Sequence, residues 1–461
     1  MRRLILAALT LLCFLNLLET VSAGGTYTLN YYEITNITDS LYLDFVDSVS
    51  DASVTFTGIV YAFDNGGGGQ WQKYINIVFS TPLTEYAQYR VYINGSTIEV
   101  YNVTGSLEGS GTTTYFWSLV NTSSGWDIRI CNQTKNQTGQ QYFWIEYFNA
   151  TEQEATIWVN LTAGSSELNI AYGNPSATKS NYESSEQVFE FFDDFEDGDV
   201  SDWENPISVT TTAYQGQYGA LVQASSDPHP RKQFSSSLDL VIYFAGYSED
   251  NGGYTGIEII SSGGDWIRFS FVADLDEMVI DSKDLSRVSK AHTFNGATWY
   301  EFKVIYKTNG EMSIECEGDV LSTAKTYITP AYIGLSRAGS YDEIYDYIRI
   351  LKFADPADVS SICEKDFVVK NPKLILNGNT VEYAGDLPPG NSVTLDVSSS
   401  YFVAGANNVT ITSDNLAVMD AVLEFDYAFS VSTTVTDKTN YIWKNSTVTI
   451  PAGTVSATFS Q

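Results

Sequence analysis

The chain is short of the groups that most enzyme chemistry uses. It has 461 residues but only two histidines, four cysteines and 24 lysines plus arginines. His229 sits in the loop sequence Asp227-Pro-His-Pro230 and His292 is isolated, so a zinc site or a Ser/His/Asp triad has little to be built from. No Gly-x-Ser-x-Gly elbow, phosphate-binding loop or dinucleotide fingerprint occurs, and Gly334-Leu-Ser-Arg-Ala-Gly339 has the wrong spacing for the elbow. Cys13 lies in an apolar N-terminal run. The remaining Cys131, Cys316 and Cys363 are odd in number, which excludes a fully paired framework. A Cys316–Cys363 bridge is the expected pairing, with three free thiols as the alternative. Asp plus Glu number 56, for a net charge of −32, and an excess that large repels phosphate backbones and excludes nucleic acid as a partner. It suits cation binding or a solvated extracellular surface. After the first residues no apolar run is long enough to span a bilayer, and none keeps a helical period over three turns.

What is present points to export and to strands. Arg2-Arg3, the apolar stretch Leu4 to Leu18 and the small-residue pattern Val21-Ser22-Ala23 read as a signal peptide over 1–23, cut after Ala23. The stretch is short for a membrane anchor, which needs about 20 residues. Eight Asn-X-Ser/Thr sequons crowd the first third of the mature chain, at Asn36, Asn94, Asn102, Asn121, Asn132, Asn136, Asn149 and Asn160. Asn408 and Asn445 follow much later. Tyr 31, Phe 24 and Trp 9, with abundant Val, Ile and Thr, favour β-structure. Tyr89 to Tyr101 alternates on both sides of Asn94-Gly95, the pattern of a tight hairpin, and Thr298 to Gly318 does so around Asn309-Gly310. The length implies two to four domains. The fold class is therefore all-β, as tandem β-sandwich or jelly-roll domains behind a cleaved signal.

Trp126-Asp-Ile-Arg129, Tyr142 to Phe148, Ala155 to Val159, Leu168 to Ala177 (with its Tyr-Gly-Asn-Pro run) and Val188 to Glu196 (with Phe-Phe-Asp-Asp-Phe-Glu) form a recognisable series. It resembles an uncharacterised β-sandwich domain of exported archaeal and bacterial surface proteins, one that commonly precedes a concanavalin A-like jelly roll. The stretch 188–353 is similar to such a jelly roll, of the laminin-G and lectin kind. On these readings and the chain's own joints and alternation, the expected layout is an N-terminal β segment at 24–66, the surface sandwich at 67–178, the jelly roll at 188–353, a linker at 354–363 and a C-terminal sandwich at 364–461. Gly66 to Gly69 reads as a joint.

Three candidate sites follow. Asp193-Asp-Phe-Glu-Asp-Gly-Asp199, with Asp202 before Trp203, clusters carboxylates around a glycine turn and suits a hard cation. Carbohydrate-binding modules that this region resembles hold calcium there, which implies Glu196 and Asp346 as ligands with Asp194 assisting. Trp266 and Tyr254 lie beside loops and are the candidates for stacking on sugar rings, whereas Trp299 reads as core. Similar jelly rolls include glycoside hydrolases, which need two carboxylates about 5 Å apart for retention. Here Glu258 stands alone on its strand and Asp274 to Glu277 reads as a turn, so no catalytic residue is expected. The expectation is a secreted or cell-surface, non-catalytic, carbohydrate-binding or adhesive protein. Its partners would be glycans or other surface proteins, and its alternatives are a divergent hydrolase or lyase and a self-assembling filament or layer subunit.

Overall fold

The computed structural model describes Arg2–Arg3 and the chain from Ser22 to Thr449, apart from residues 35, 44–47, 59–62, 67–70, 122, 136, 224–228, 249–253, 284, 337–341, 355–356, 416–418 and 438–441. The expected signal segment and the Gly67–Gly69 part of the joint lie outside these residues. Among the described residues the protein is almost entirely antiparallel β-structure, with α-helices only at Phe116–Leu119 and Ser185–Val188. Among the described residues no helix is long and apolar enough to cross a membrane.

Three β-sandwiches are nested along the chain. Ser22–Ile34, Asn36–Leu43 and Ser48–Gly58 begin a terminal sandwich, which Lys373–Leu376, Asn379–Glu382, Ser392–Val397, Gly405–Thr412 and Met419–Asp437 complete. The N-terminal segment expected at 24–66 and the C-terminal sandwich expected at 364–461 therefore share two sheets. The first three strands cannot bury their alternating apolar rows alone. Leu29, Leu41, Val54 and Phe56 instead close on Leu374, Val409, Ile411, Leu423 and Phe425 in one core.

Inside that frame lies a middle sandwich. It pairs Tyr142–Asn149, Glu154–Leu161, Ala87–Asn94, Thr97–Asn102 and Leu107–Thr112 in one sheet, and Lys73–Phe79, Glu167–Tyr172 and Arg129–Cys131 in the other. The Asn94-Gly95 hairpin forms as its spacing predicts, with Asn94 opposite Thr97 and Gly95 at φ 55°. Residues 354–363 were expected to be a linker. Val359–Asp366 runs there instead as a strand against Lys73–Phe79. Glu364 fixes it by accepting from Thr113 Oγ1 (2.8 Å), the Thr114 and Tyr115 amides and the Tyr172 hydroxyl.

The innermost unit, the inserted sandwich, runs from Phe191 to Lys352. Eight strands form one sheet and six the other: Arg231–Gln233, Tyr332–Ser336, Tyr254–Ile260, Trp266–Val272, Glu277–Ser282 and Leu285–Ala291. The outward face of the eight-stranded sheet packs on the middle sandwich. Val241 and Leu351 meet Val103, Trp158 and Phe189 there, flanked by Trp144, Phe192 and Tyr243. Polar pairs, most of them buried, lock this seam. The Arg349 guanidinium pairs with Glu146, Gln88 Nε2 donates to the Val188 carbonyl (2.8 Å), and Lys352 Nζ meets Glu85 at 2.6 Å.

Candidate functional site

Alternation along the six-stranded sheet sends Ile257, Ile259, Ile267, Phe269, Ile280, Ile333 and Leu335 into the core. The intervening residues therefore stand on the outward face. Register places Arg231, Gly334, Glu258, Arg268 and Asp281 side by side across five strands. Glu258 is 4% exposed, and its carboxylate accepts from Arg268 Nε at 2.9 Å and lies 3.2 Å from His229 Nδ1. Burial alone would raise its pKa, but the His229 bond and the Arg268 charge outweigh burial and hold it below the usual range. Asp281 behaves oppositely: burial raises it, the Glu258 charge adds to the rise, and Arg268 only partly compensates.

The two aromatic candidates frame this row. The Arg268 guanidinium lies 4.8 Å from the Trp266 ring centroid and 5.8 Å from that of Tyr254. Arg287 donates to the Tyr254 hydroxyl at 2.9 Å, and Arg231 covers Tyr332 at 4.3 Å. Three buried polar atoms on the same face have no hydrogen-bond partner among the described residues: Ser270 Oγ, Ser336 Oγ and Asp281 Oδ1. Trp266 and Tyr254, chosen for their place beside loops, thus share a face with Glu258, Arg268, His229, Arg287 and Tyr332, whose part was not anticipated. The signal was available in the i, i+2 and i, i+4 spacing of Trp266/Arg268 and Tyr254/Glu258 on alternating strands.

The acidic run divides into two environments. Asp193 accepts from Trp203 Nε1 (2.8 Å) and Lys232 Nζ (3.0 Å), and Lys232 also reaches Asp202 at 2.5 Å. Glu196 turns instead to the loop 214–218, where its oxygens accept the amides of Gln217 (2.7 Å) and Tyr218 (2.8 Å). Asp346, fully buried on the last strand of the inserted sandwich, clamps the same loop through the amides of Tyr214 (2.8 Å) and Gln215 (3.1 Å). Burial pushes the Asp346 pKa up to about 7; the backbone bonds offset this in part and the Glu196 charge adds to it. Asp194 is raised by burial and by the Asp193 and Glu196 charges. The expected calcium residues therefore meet at one corner. Their oxygens face backbone N–H groups, however, and among the described residues no group of three or more such side chains is placed to hold a metal ion. In this geometry they do not present a ligand set.

Other marked residues have structural work. Asp127 accepts the amides of Asn121 (2.8 Å) and Gly173 (2.9 Å), and the buried Arg129 meets Asp64 at 2.8 Å and donates to the Thr178 carbonyl. These bonds tie the Tyr172-Gly-Asn-Pro175 turn to the sandwich. All three cysteines described are free. Cys316 faces the inserted core, while Cys363 lies on the edge strand of the middle sandwich, so the expected bridge does not form. Trp299 is not core either. Tyr300 and Phe302 occupy the inward positions of its strand, which puts Trp299 outward. Among the sequons, Asn102, Asn121, Asn132 and Asn149 each accept the amide two residues on, at 2.8 to 3.1 Å. Asn36, Asn94 and Asn408 are exposed, Asn160 is half-buried, Asn136 lies outside the described residues, and nothing is described of the Asn445 side chain.

Residues 124–206 match a family known only as a domain of unknown function, DUF2341. That span begins in the middle sandwich, crosses the seam and ends in the acidic run. No curated protein matches. Among solved structures, the cellulose-induced protein Cip1 is 13% identical over 35% of this chain and 97% of its own, with a TM-score of 0.30. The carbohydrate-binding module CBM66 from Bacillus subtilis is 12% identical over 33% and 96%, with a TM-score of 0.27. The alginate lyase AlgAT5 of polysaccharide lyase family 7 is 8% identical over 32% and 82%, with a TM-score of 0.25. At these scores the likeness carries no argument about function.

Proposed function

We propose that the chain is an exported, non-catalytic carbohydrate-binding protein that presents glycan-contacting residues on the outward face of its six-stranded sheet. One observation carries the reading. Two half-buried aromatic rings, Tyr254 and Trp266, stand within reach of one guanidinium that is itself bonded to a buried carboxylate. Sugars need flat apolar surface for their C–H faces and fixed donors and acceptors for their hydroxyls, and this face offers both. A glycan array on the mature protein tests the reading, with Trp266→Ala and Tyr254→Ala expected to lose the signal. Export, glycosylation of the early sequons and a surface location belong to the same proposal, supported by the N-terminal pattern and the exposed asparagines. Calcium at the Glu196, Asp194 and Asp346 corner is a proposal carried by its clustered negative charge, not by a ligand set. Thermal unfolding with calcium and with chelator tests it.

Catalysis has one observation in its favour: Glu258 and Asp281 share a row and their pKa values are pushed in opposite directions. Arg268 fills the space between them, with Nε 2.9 Å from Glu258 and 3.8 Å from Asp281. An arginine between the two carboxylates supports an ion-paired row over a catalytic pair. Self-assembly also has one. Among the described residues, Met419–Asp437 pairs with Ser22–Ile34 as far as Ser430 and with Ile442–Thr449 beyond it. Such a ribbon offers edges for strand addition, and size-exclusion chromatography of the mature protein reads the outcome.

A further inference from the structure

The seam between the middle and inserted sandwiches covers only part of the eight-stranded sheet's outward face. Farther along the same strands Tyr247 pairs with Trp299, their ring centroids 5.3 Å apart. Tyr214 comes in from the loop that Asp346 clamps and lies 5.7 Å from Trp299. None of the three belongs to a described core cluster. Tyr214 is 39% exposed, and Trp299 and Tyr247 are half-buried. Three ring faces therefore form a ledge that continues outward from the seam.

The polar surroundings define what such a ledge can take. Burial raises the pKa of the Tyr214 hydroxyl most, the nearby exposed Glu301 raises it further, and the charges of Arg349 and Glu146 at the edge of the seam also act on it. Arg349 is 5% exposed, ringed by Trp158, Tyr243 and Tyr347 at 5.3 to 5.5 Å, and its Nε has no hydrogen-bond partner among the described residues. Among the described residues no exposed Leu, Ile, Val or Met joins the three rings. The rings come instead with carboxylate acceptors, a combination that fits the C–H face and hydroxyl edge of a pyranose. The flanking Glu301 and Glu146, in a chain of net charge −32, disfavour an anionic sugar.

We propose that Tyr214, Trp299 and Tyr247 form a second glycan-binding surface, specific for neutral polysaccharide. It lies on the sheet opposite the Tyr254/Trp266 face and is independent of it. A chain with binding surfaces on opposite sheets holds two glycan strands at once, and on an insoluble polymer the two contacts reinforce each other through effective concentration.

Affinity electrophoresis of the full mature chain tests this in gels containing hydroxyethyl cellulose, mixed-linkage β-glucan, galactomannan or polygalacturonate. At least one neutral polymer is expected to retard the wild type. Trp299→Ala and Tyr214→Ala should each weaken that retardation roughly tenfold. Trp299→Phe should retain most of it, and Trp266→Ala should leave a residual retardation that Trp299→Ala then removes. Tyr214 is exposed, so its variant reports on binding without threatening the fold, and an unchanged melting temperature verifies that. Full retardation of the Tyr214/Trp299 double variant on every polymer that retards the wild type overturns the ledge and leaves the six-stranded face standing. Absence of wild-type retardation by any neutral polymer overturns it too, as does preference for polygalacturonate.

Discussion

Glu258 and Asp346 are both buried carboxylates of the inserted sandwich, yet they are compensated in different ways. Glu258 faces two potential cations, Arg268 and His229, and its pKa lies below the usual range. Among the described residues Asp346 accepts from backbone amides, with the Glu196 charge nearby, and burial pushes its pKa up to about 7. Backbone N–H groups satisfy the geometry of a buried carboxylate without neutralising its charge. The difference separates a prepared charged row, suited to orienting a polar ligand, from a strained corner that holds a loop.

The largest effect should come from breaking the compensated side. Arg268→Met removes the permanent positive charge beside buried Glu258 and should cost about 3 kcal/mol. Urea unfolding followed by tryptophan fluorescence measures it. Glu258→Gln in the same background should recover part of the loss, and a double variant no better than Arg268→Met would break the comparison.

pH separates the two carboxylates by sign. Asp346 has a raised folded pKa, so its penalty is absent below the unfolded value near 4 and complete above about pH 7. Glu258 has a lowered folded pKa, so its contribution is present above the unfolded value and is lost as pH falls through the folded one. In chelator, stability should therefore decline between pH 4 and pH 7, and Asp346→Asn should flatten that slope. Glu258→Gln should flatten only the acid limb. Added calcium that abolishes the Asp346 slope would establish a cation at this corner.

Smaller effects are expected from the sequons. Asn102, Asn121, Asn132 and Asn149 each close a local turn, so single Asn→Ala changes should cost about 0.5 to 1 kcal/mol. Glycopeptide spectrometry of native material should find glycans on exposed Asn94. An unmodified Asn94 would count against the export and glycosylation proposal.

Features that local alternation encodes were legible in the sequence. The Asn94-Gly95 and Asn309-Gly310 hairpins and the all-β class come from period-two patterns and turn chemistry. Nesting was not, because it rests on pairings between residues hundreds of positions apart, such as Thr28 with Glu424. Val359–Asp366 escaped notice because its polar residues do not alternate and its partner strand lies far upstream. Trp299 was misplaced by reading its position in the hairpin without the strand's parity. Its neighbours Tyr300 and Phe302 are the ones whose parity matches the core. The charged row was hidden for a related reason: Glu258, Arg268, Asp281 and Arg231 become neighbours only through sheet register.

The central claim is that sugar rests on Tyr254 and Trp266 beside the Arg268–Glu258 pair without being cleaved. The most direct measurement is an equilibrium titration of the mature chain and its Trp266→Ala variant with the best glycan from the array, followed by a reducing-end assay of the recovered sugar. The account predicts a dissociation constant about tenfold higher in the variant, consistent with the loss of one stacking ring, and glycan recovered intact. An unchanged dissociation constant, or new reducing ends that vanish in Glu258→Gln, would contradict it.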